Sequence, residues 1–97
     1  MLFDIATPRN ISMWMSNTLI PLDILFVNAQ GRIIKISANA VPGSLQSIRS
    51  GSPVRSVVEL LGGTAAKIGA APGDRIRHRL YGDTLDSSKA NKIGAIE

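Results

Sequence analysis

Two bulky apolar runs separated by a proline set the terms on which this chain can fold. Residues 11–28 read ISMWMSNTLIPLDILFVN, in which 11–15 are apolar apart from Ser12 and 22–27 are apolar apart from Asp23. Each run has the length of a strand, whereas a buried helix needs about ten or more residues without a breaker. Pro21 stands between the runs, and its fixed φ and missing N–H exclude a continuous helix. Residues 16–21 are therefore a connection. In it Asn17 and Thr18 bond nearby backbone groups, and Pro21 opens the second strand without loss of a ladder bond. The rest of the chain is expected to cover the apolar side chains of this stretch.

Downstream, RIIKI at residues 32–36 follows Asn28, Ala29, Gln30 and Gly31, which predicts a β-hairpin with Gly31 at positive φ. Residues 37–53 are rich in Ser, Gly and Pro, with Val41, Leu45 and Ile48 as apolar anchors, and read as one long loop of the functional or mobile kind. Residues 54–61 return to strand, with Val54, Val58 and Leu60 on one face and Arg55, Val57 and Glu59 on the other. After Gly62 and Gly63, residues 64–68 suit one or two helical turns, with Thr64 as N-cap and Gly69 as a left-handed terminator. Ala71, Pro72, Gly73 and Asp74 predict a type II turn that launches a strand over 75–80, with Ile76, His78 and Leu80 on one face and a solvated row of Arg75, Arg77 and Arg79 on the other. Upstream, residues 1–5 form a short strand, and Thr7, Pro8, Arg9 and Asn10 a turn. Periodicity ends at Tyr81, so 81–97 are expected to form a mobile tail behind a single domain of residues 1–80. The expected class is mainly β (α+β), a small β-barrel-like domain with one or two short helices.

At 97 residues the chain is one domain, with roughly 60–65% of its extended surface buried on folding. Only four residues are aromatic, so Ile, Leu, Val and Ala must supply most of the core. The absence of cysteine removes disulfides, thiolate nucleophiles and Cys-based metal sites, and the lone His78 cannot hold zinc by itself. No cofactor is expected. No apolar run reaches the roughly 18 residues of a membrane span, and MLFDIATPRN lacks the basic and apolar regions of a signal peptide. Eleven basic residues against seven acidic give a formal charge of +4. That surplus is small, spread along the chain and without stacking aromatics beside it, so it reads as solubility rather than nucleic-acid binding.

Residues 13–26 resemble the signature of the bacterial and archaeal family known as domain of unknown function 192. That signature runs approximately Met-Trp-Met-Lys-Asn-Thr-Leu-Ile-Pro-Leu-Asp-Met-Leu-Phe, and this chain departs from it at Ser16 and Ile24. The resemblance continues through Gly31, Arg32 and Ile33, through 39–42, through Glu59 and Leu60, and through Gly63, Thr64, Ala65 and Ala66 to 72–76, so that it spans residues 1–77. It implies a small barrel-like β fold with short helices and no known reaction. Family members usually carry a further strand and short helix before the segment that resembles residues 1–5, and often a signal peptide or lipoprotein leader. The resemblance thus implies an incomplete family domain, and an exported or periplasmic full-length form. A sheet lacking its first strand has an open edge, which invites homodimerisation, closure by the chain's own tail, or marginal stability.

Five residues stand out as candidates for a site. Asp23 and Glu59 are carboxylates embedded in apolar strands, where an acid/base pair can form, although an ion pair with an Arg, or bonds from Asn17 and Thr18, would serve structure alone. Trp14 suits the floor of a small-ligand or carbohydrate site, or else the core, and Asn17 and Thr18 beside it suit either a pocket mouth or a turn. Two functions follow from these residues. One is a non-catalytic module that binds a small molecule, glycan or protein around Trp14, Asn17, Thr18 and Asp23. The other is a hydrolase or lyase using Asp23 with Glu59, which requires carboxyls about 5–9.5 Å apart.

Overall fold

The computed structural model describes residues 1–77, which form β1 (Leu2–Arg9), β2 (Ser12–Met13), β3 (Leu22–Val27), β4 (Ile33–Ala40), β5 (Ile48–Arg49), β6 (Val54–Leu61) and α1 (Thr64–Ile68). The mainly β class with one short helix is as expected. Four strands make an antiparallel sheet in the order β1-β6-β3-β4, and β2 pairs with β5 in a separate ribbon. Both sheets are open, so the barrel-like form is one of stacked layers around the central strands rather than a closed ring of strands.

The unbroken apolar character of β3 has a direct cause. Asp23, Ile24, Leu25, Phe26 and Val27 are all buried, because both faces of the sheet are covered. Ile24 and Phe26 point to one face and pack with Met15, Ala40, Val54 and Val57, joined by Ile11, Met13 and Ile48 from in and around the β2–β5 ribbon. Leu25 and Val27 point to the other face and pack with Ile33, Val58, Ala65 and Ile76. The ribbon therefore covers one face of the sheet, and α1 with the segment after it covers the other. The core is aliphatic apart from Phe26 and Met15.

The hairpin of β3 and β4 turns at Gly31, whose φ of 80° is the positive value expected of it. β4, however, runs on to Ala40, past the predicted end at Ile36, because its ladder with β3 persists through two register shifts to the Leu22–Ala40 pair. The expected long loop is accordingly split by β5 into residues 41–47 and 50–53. Val41 and Leu45 are exposed rather than anchoring, and Ile48 alone packs inward.

The first organising run also differs from expectation. Only Ser12 and Met13 are paired, since β5 offers just Arg49 and Ile48 as partners. The chain then turns, and the carbonyl of Met15 accepts bonds from the N–H groups of Thr18 and Gly43. At the N-terminus the expected turn over residues 7–10 is absent. The irregularity lies inside β1, where Ala6 takes φ 63°, the Asp4 carboxylate accepts its N–H at 2.7 Å, and the register against β6 shifts between Asp4 and Arg9. Opposite that shift the two-face pattern of β6 slips too. Val54 joins the cluster of Val57, whereas Val58 and Leu60 share the other face.

Gly63, at φ 91°, and not Thr64, occupies the N-cap of α1, and no side chain of the helix's own segment caps it. Gly69 ends the helix at φ 72° as expected. The turn at Ala71, Pro72, Gly73 and Asp74 also forms as expected, with Gly73 at φ 97° and the Asp74 N–H donating to the Ala71 carbonyl at 3.1 Å. Beyond it Arg75 bridges to Arg32, and the Ile76 N–H donates to Gly31 O at 2.7 Å. That bond draws the segment against the sheet, so Arg77 is buried at 5% exposure instead of standing in a solvated row. The remainder of the predicted last strand and the expected tail lie outside the described residues.

Candidate functional site

Asp23 is the most enclosed charged side chain in the described residues, at 0% exposure, and each of its bonds goes to backbone. Oδ1 accepts the N–H of Asn39 at 2.8 Å and that of Gly63 at 3.2 Å, and Oδ2 accepts the N–H of Ala65 at 2.8 Å. The two bonds at Gly63 and Ala65 satisfy donors at the start of α1 that a local capping side chain would otherwise take. Burial alone would raise the pKa of this carboxyl, but the hydrogen bonds from Asn39, Ala65 and Gly63 together hold it below the ordinary carboxylate value. Asp23 is thus an ionised staple between β3, the end of β4 and the start of α1. Neither an Arg nor Asn17 nor Thr18 is its partner.

Glu59 does not join it. In the β3–β6 ladder Glu59 lies opposite Ile24, and Asp23 lies opposite Leu60. Successive strand residues point to opposite faces, so the two carboxylates are on opposite sides of the sheet. An acid/base pair built from them is excluded by the register.

Around the staple the backbone is close-packed. Gly62 donates its N–H to Pro21 O at 3.0 Å, and a β-carbon placed on it would lie 2.7 Å from Asn39 Oδ1 and 2.9 Å from Pro21 Cβ. Asn39 itself adopts φ 50°, a left-handed conformation that Asn tolerates better than most residues. Pro21, Asp23, Asn39, Gly62, Gly63 and Ala65 form one structural joint, in which Asp23 is fully enclosed and Asn39 stands at the outer margin.

The open space lies on the other face. Trp14 is 62% exposed, not core, and lines a cavity of about 300 Å³ with Ser12, Met13, Leu45 and Ser47. A second cavity of about 230 Å³ shares Ser47 and is bounded by the end of β4 and residues 44–48, including Ser37, Asn39, Ser44 and Gln46. The pair forms a groove between β2, the end of β4 and the loop of residues 41–47. Its lining combines an indole and a leucine with hydroxyl and amide groups, and carries no charge. Asn17 and Thr18 line neither cavity. The Thr18 N–H closes a turn onto Met15 O at 3.1 Å, so both residues are turn-makers. Of the five residues predicted from sequence, only Trp14 belongs to this groove. Ser12, Leu45 and Ser47 were missed, because Leu45 and Ser47 lie in a loop whose path back to β2 is fixed only by the two-residue β5.

Residues 1–78 match the model of domain of unknown function 192, described as uncharacterized ACR. No curated protein matches the chain. Among solved structures, it is similar to a protein from Sinorhizobium meliloti 1021 that is provisionally described as a transcription regulator. The two share 49% identity over 76% of this chain and 57% of that one, with a TM-score of 0.74. It is also similar to a protein of unknown function from Novosphingobium aromaticivorans DSM 12444, at 42% identity over 76% of this chain and 53% of the other, again with a TM-score of 0.74. The matched part of the chain spans somewhat more than half the length of each.

Proposed function

The chain belongs to the domain of unknown function 192 family, and from that premise we propose that it is a non-catalytic module binding a small, neutral, hydroxyl-rich ligand such as a glycan in the groove beside Trp14. The observation that carries this reading is the position of Trp14, whose indole is exposed at an uncharged cavity lined by Ser12 and Ser47 on the polar side and by Met13 and Leu45 on the apolar side. An exposed indole face offers apolar area to a sugar ring, and its N–H and the neighbouring hydroxyls offer hydrogen bonds that fix orientation. Amide and hydroxyl groups of Asn39, Ser44 and Gln46 extend the same chemistry along the groove. The groove holds no Lys or Arg, so it is not built to take a phosphate backbone.

Titration of the chain with neutral and acidic oligosaccharides, followed by Trp14 fluorescence and by calorimetry, tests this reading. A saturable response to a neutral oligosaccharide that is lost in Trp14→Ala supports it. A flat response to the whole series removes it.

A further inference from the structure

The molecule is polarised along the axis of its main sheet. Three segments contain no charged residue at all, namely 10–22, 36–48 and 60–66. The ladders bring parts of all three to one end. Leu22 pairs with both Ala40 and Leu61, so residues 19–21 just before it, Val41 just after Ala40, and Leu61 itself share that end. There Leu19 is 93% exposed, and Ile20, Val41 and Leu61 are also exposed. Trp14 and Leu45 are exposed on the flank. The opposite end, built from the turn after Val27 and the turn before Arg75, carries Arg32, Asp74 and Arg75.

We propose that the charge-free end, tipped by Leu19, Ile20, Val41 and Leu61, inserts into the surface of an anionic lipid bilayer. Large side chains held out in water by separate strand ends and loops form a patch of the kind that marks an interaction surface. Leu19 is the most exposed of them, and neither it nor Ile20 nor Leu61 lines either cavity of the groove. Acyl chains conform to whatever shape such a patch has, whereas a folded partner must match it over roughly 800 Å² a side. The charge distribution agrees with a bilayer. Lys35, opposite Phe26, stands farther along the sheet from the tip. Of the acidic residues nearer to the tip, Asp23 is sealed in the joint and Glu59, two residues before Leu61, is half-buried. The exposed residues that bound the three segments, Arg9, Lys35, Arg49 and Lys67, are all basic. Together with the net charge of +4 they favour an anionic surface. Trp14, an amphipathic ring flanking the apolar end, stands where indoles concentrate at the headgroup level. This inference does not depend on the groove ligand, because three of the four tip residues, Leu19, Ile20 and Leu61, line neither cavity, and Val41 borders only the second.

Co-sedimentation of the full chain with phosphatidylcholine vesicles, with and without phosphatidylglycerol, tests it. The chain is expected to partition onto the mixed vesicles, and Leu19→Asp and Leu61→Asp are each expected to lower the partition coefficient at least about tenfold, as loss of a buried leucine implies. Both variants are expected to keep the wild-type unfolding midpoint and the oligosaccharide response, which separates this proposal from the reading of the groove. Three results would overturn it. One is a folded wild-type chain that ignores both vesicle types. Another is binding that salt abolishes and Leu19→Asp leaves unchanged, which would be electrostatic adsorption alone. The third is self-association without lipid that Leu19→Asp abolishes, which would make the end a contact between copies.

Discussion

Replacing Asp23 with Ala would leave three backbone N–H groups facing an empty, water-free space. Hydrogen bonds to a charged acceptor contribute about 1.5–3 kcal/mol each, and orphaned buried donors add to the loss, so Asp23→Ala is expected to destabilise the fold by about 3–5 kcal/mol in urea unfolding. Asp23→Asn keeps the shape but turns a donor toward either Ala65 or the Asn39 and Gly63 pair, and is expected to cost about 2–4 kcal/mol. The lowered pKa fixes the sign of the pH dependence. The stabilisation is complete above the unfolded carboxyl pKa of about 3.9 and is lost as pH falls through the lower folded value. The stability gap between wild type and Asp23→Asn should therefore hold near neutrality and close progressively below about pH 4. Gly62→Ala is expected to cost about 1–3 kcal/mol in the same assay, because its new methyl would meet Asn39 Oδ1 and the Pro21 ring at less than contact distance. Trp14→Ala, by contrast, removes an exposed ring and should change stability by less than about 1 kcal/mol.

At the scale of elements, α1 is informative because it has five residues and cannot stand alone. Its N-terminus is held by the side chain of a distant strand, and Thr64 makes no capping bond. Thr64→Ala should then cost only a few tenths of a kcal/mol, against about 1 kcal/mol for a true N-cap. The boundaries of β6, the hairpin turn at Gly31, the terminator Gly69 and the turn at Gly73 were legible, because each follows from local chain chemistry that Gly, Pro and alternating apolar residues state openly. The extent of β4 and β1 was not. A strand continues as long as its neighbour pairs with it, and Asn39 and Ala6 at positive φ are kinks that the ladder tolerates but no sequence pattern announces. The site was hidden for a related reason. Asp23 stands out in sequence as a charge in an apolar run, but its partners are N–H groups, which every residue except proline possesses. Trp14 was singled out, yet its exposure depends on where residues 41–47 come to rest.

At the scale of the whole molecule, the main sheet of the described residues has β1 and β4 at its two edges. β1 is blunted over its second half by the bulge at Ala6 and by Pro8, which cannot donate. Residues 44–48 and the ammonium of Lys35, which donates to Arg49 O, lie along the region of β4. Among the described residues, the start of β1 is the stretch of edge that a homodimer of this kind would use. A weak, concentration-dependent monomer–dimer equilibrium is expected in analytical ultracentrifugation, and a dimer that persists at high dilution would place the interface elsewhere.

The carboxylate of Asp23 also governs how the molecule opens. The N–H groups of Asn39 and Gly63 belong to residues that are exposed or half-buried, and amides in such places ordinarily exchange with solvent through small local excursions. Here they and the N–H of Ala65 converge on one side chain from positions 16, 40 and 42 residues away along the chain. Freeing any of them loosens the anchor of the other two. Their protons should leave together, at the slow pace of global unfolding, so that the end of a strand, a diglycine turn and a one-turn helix breathe as one body.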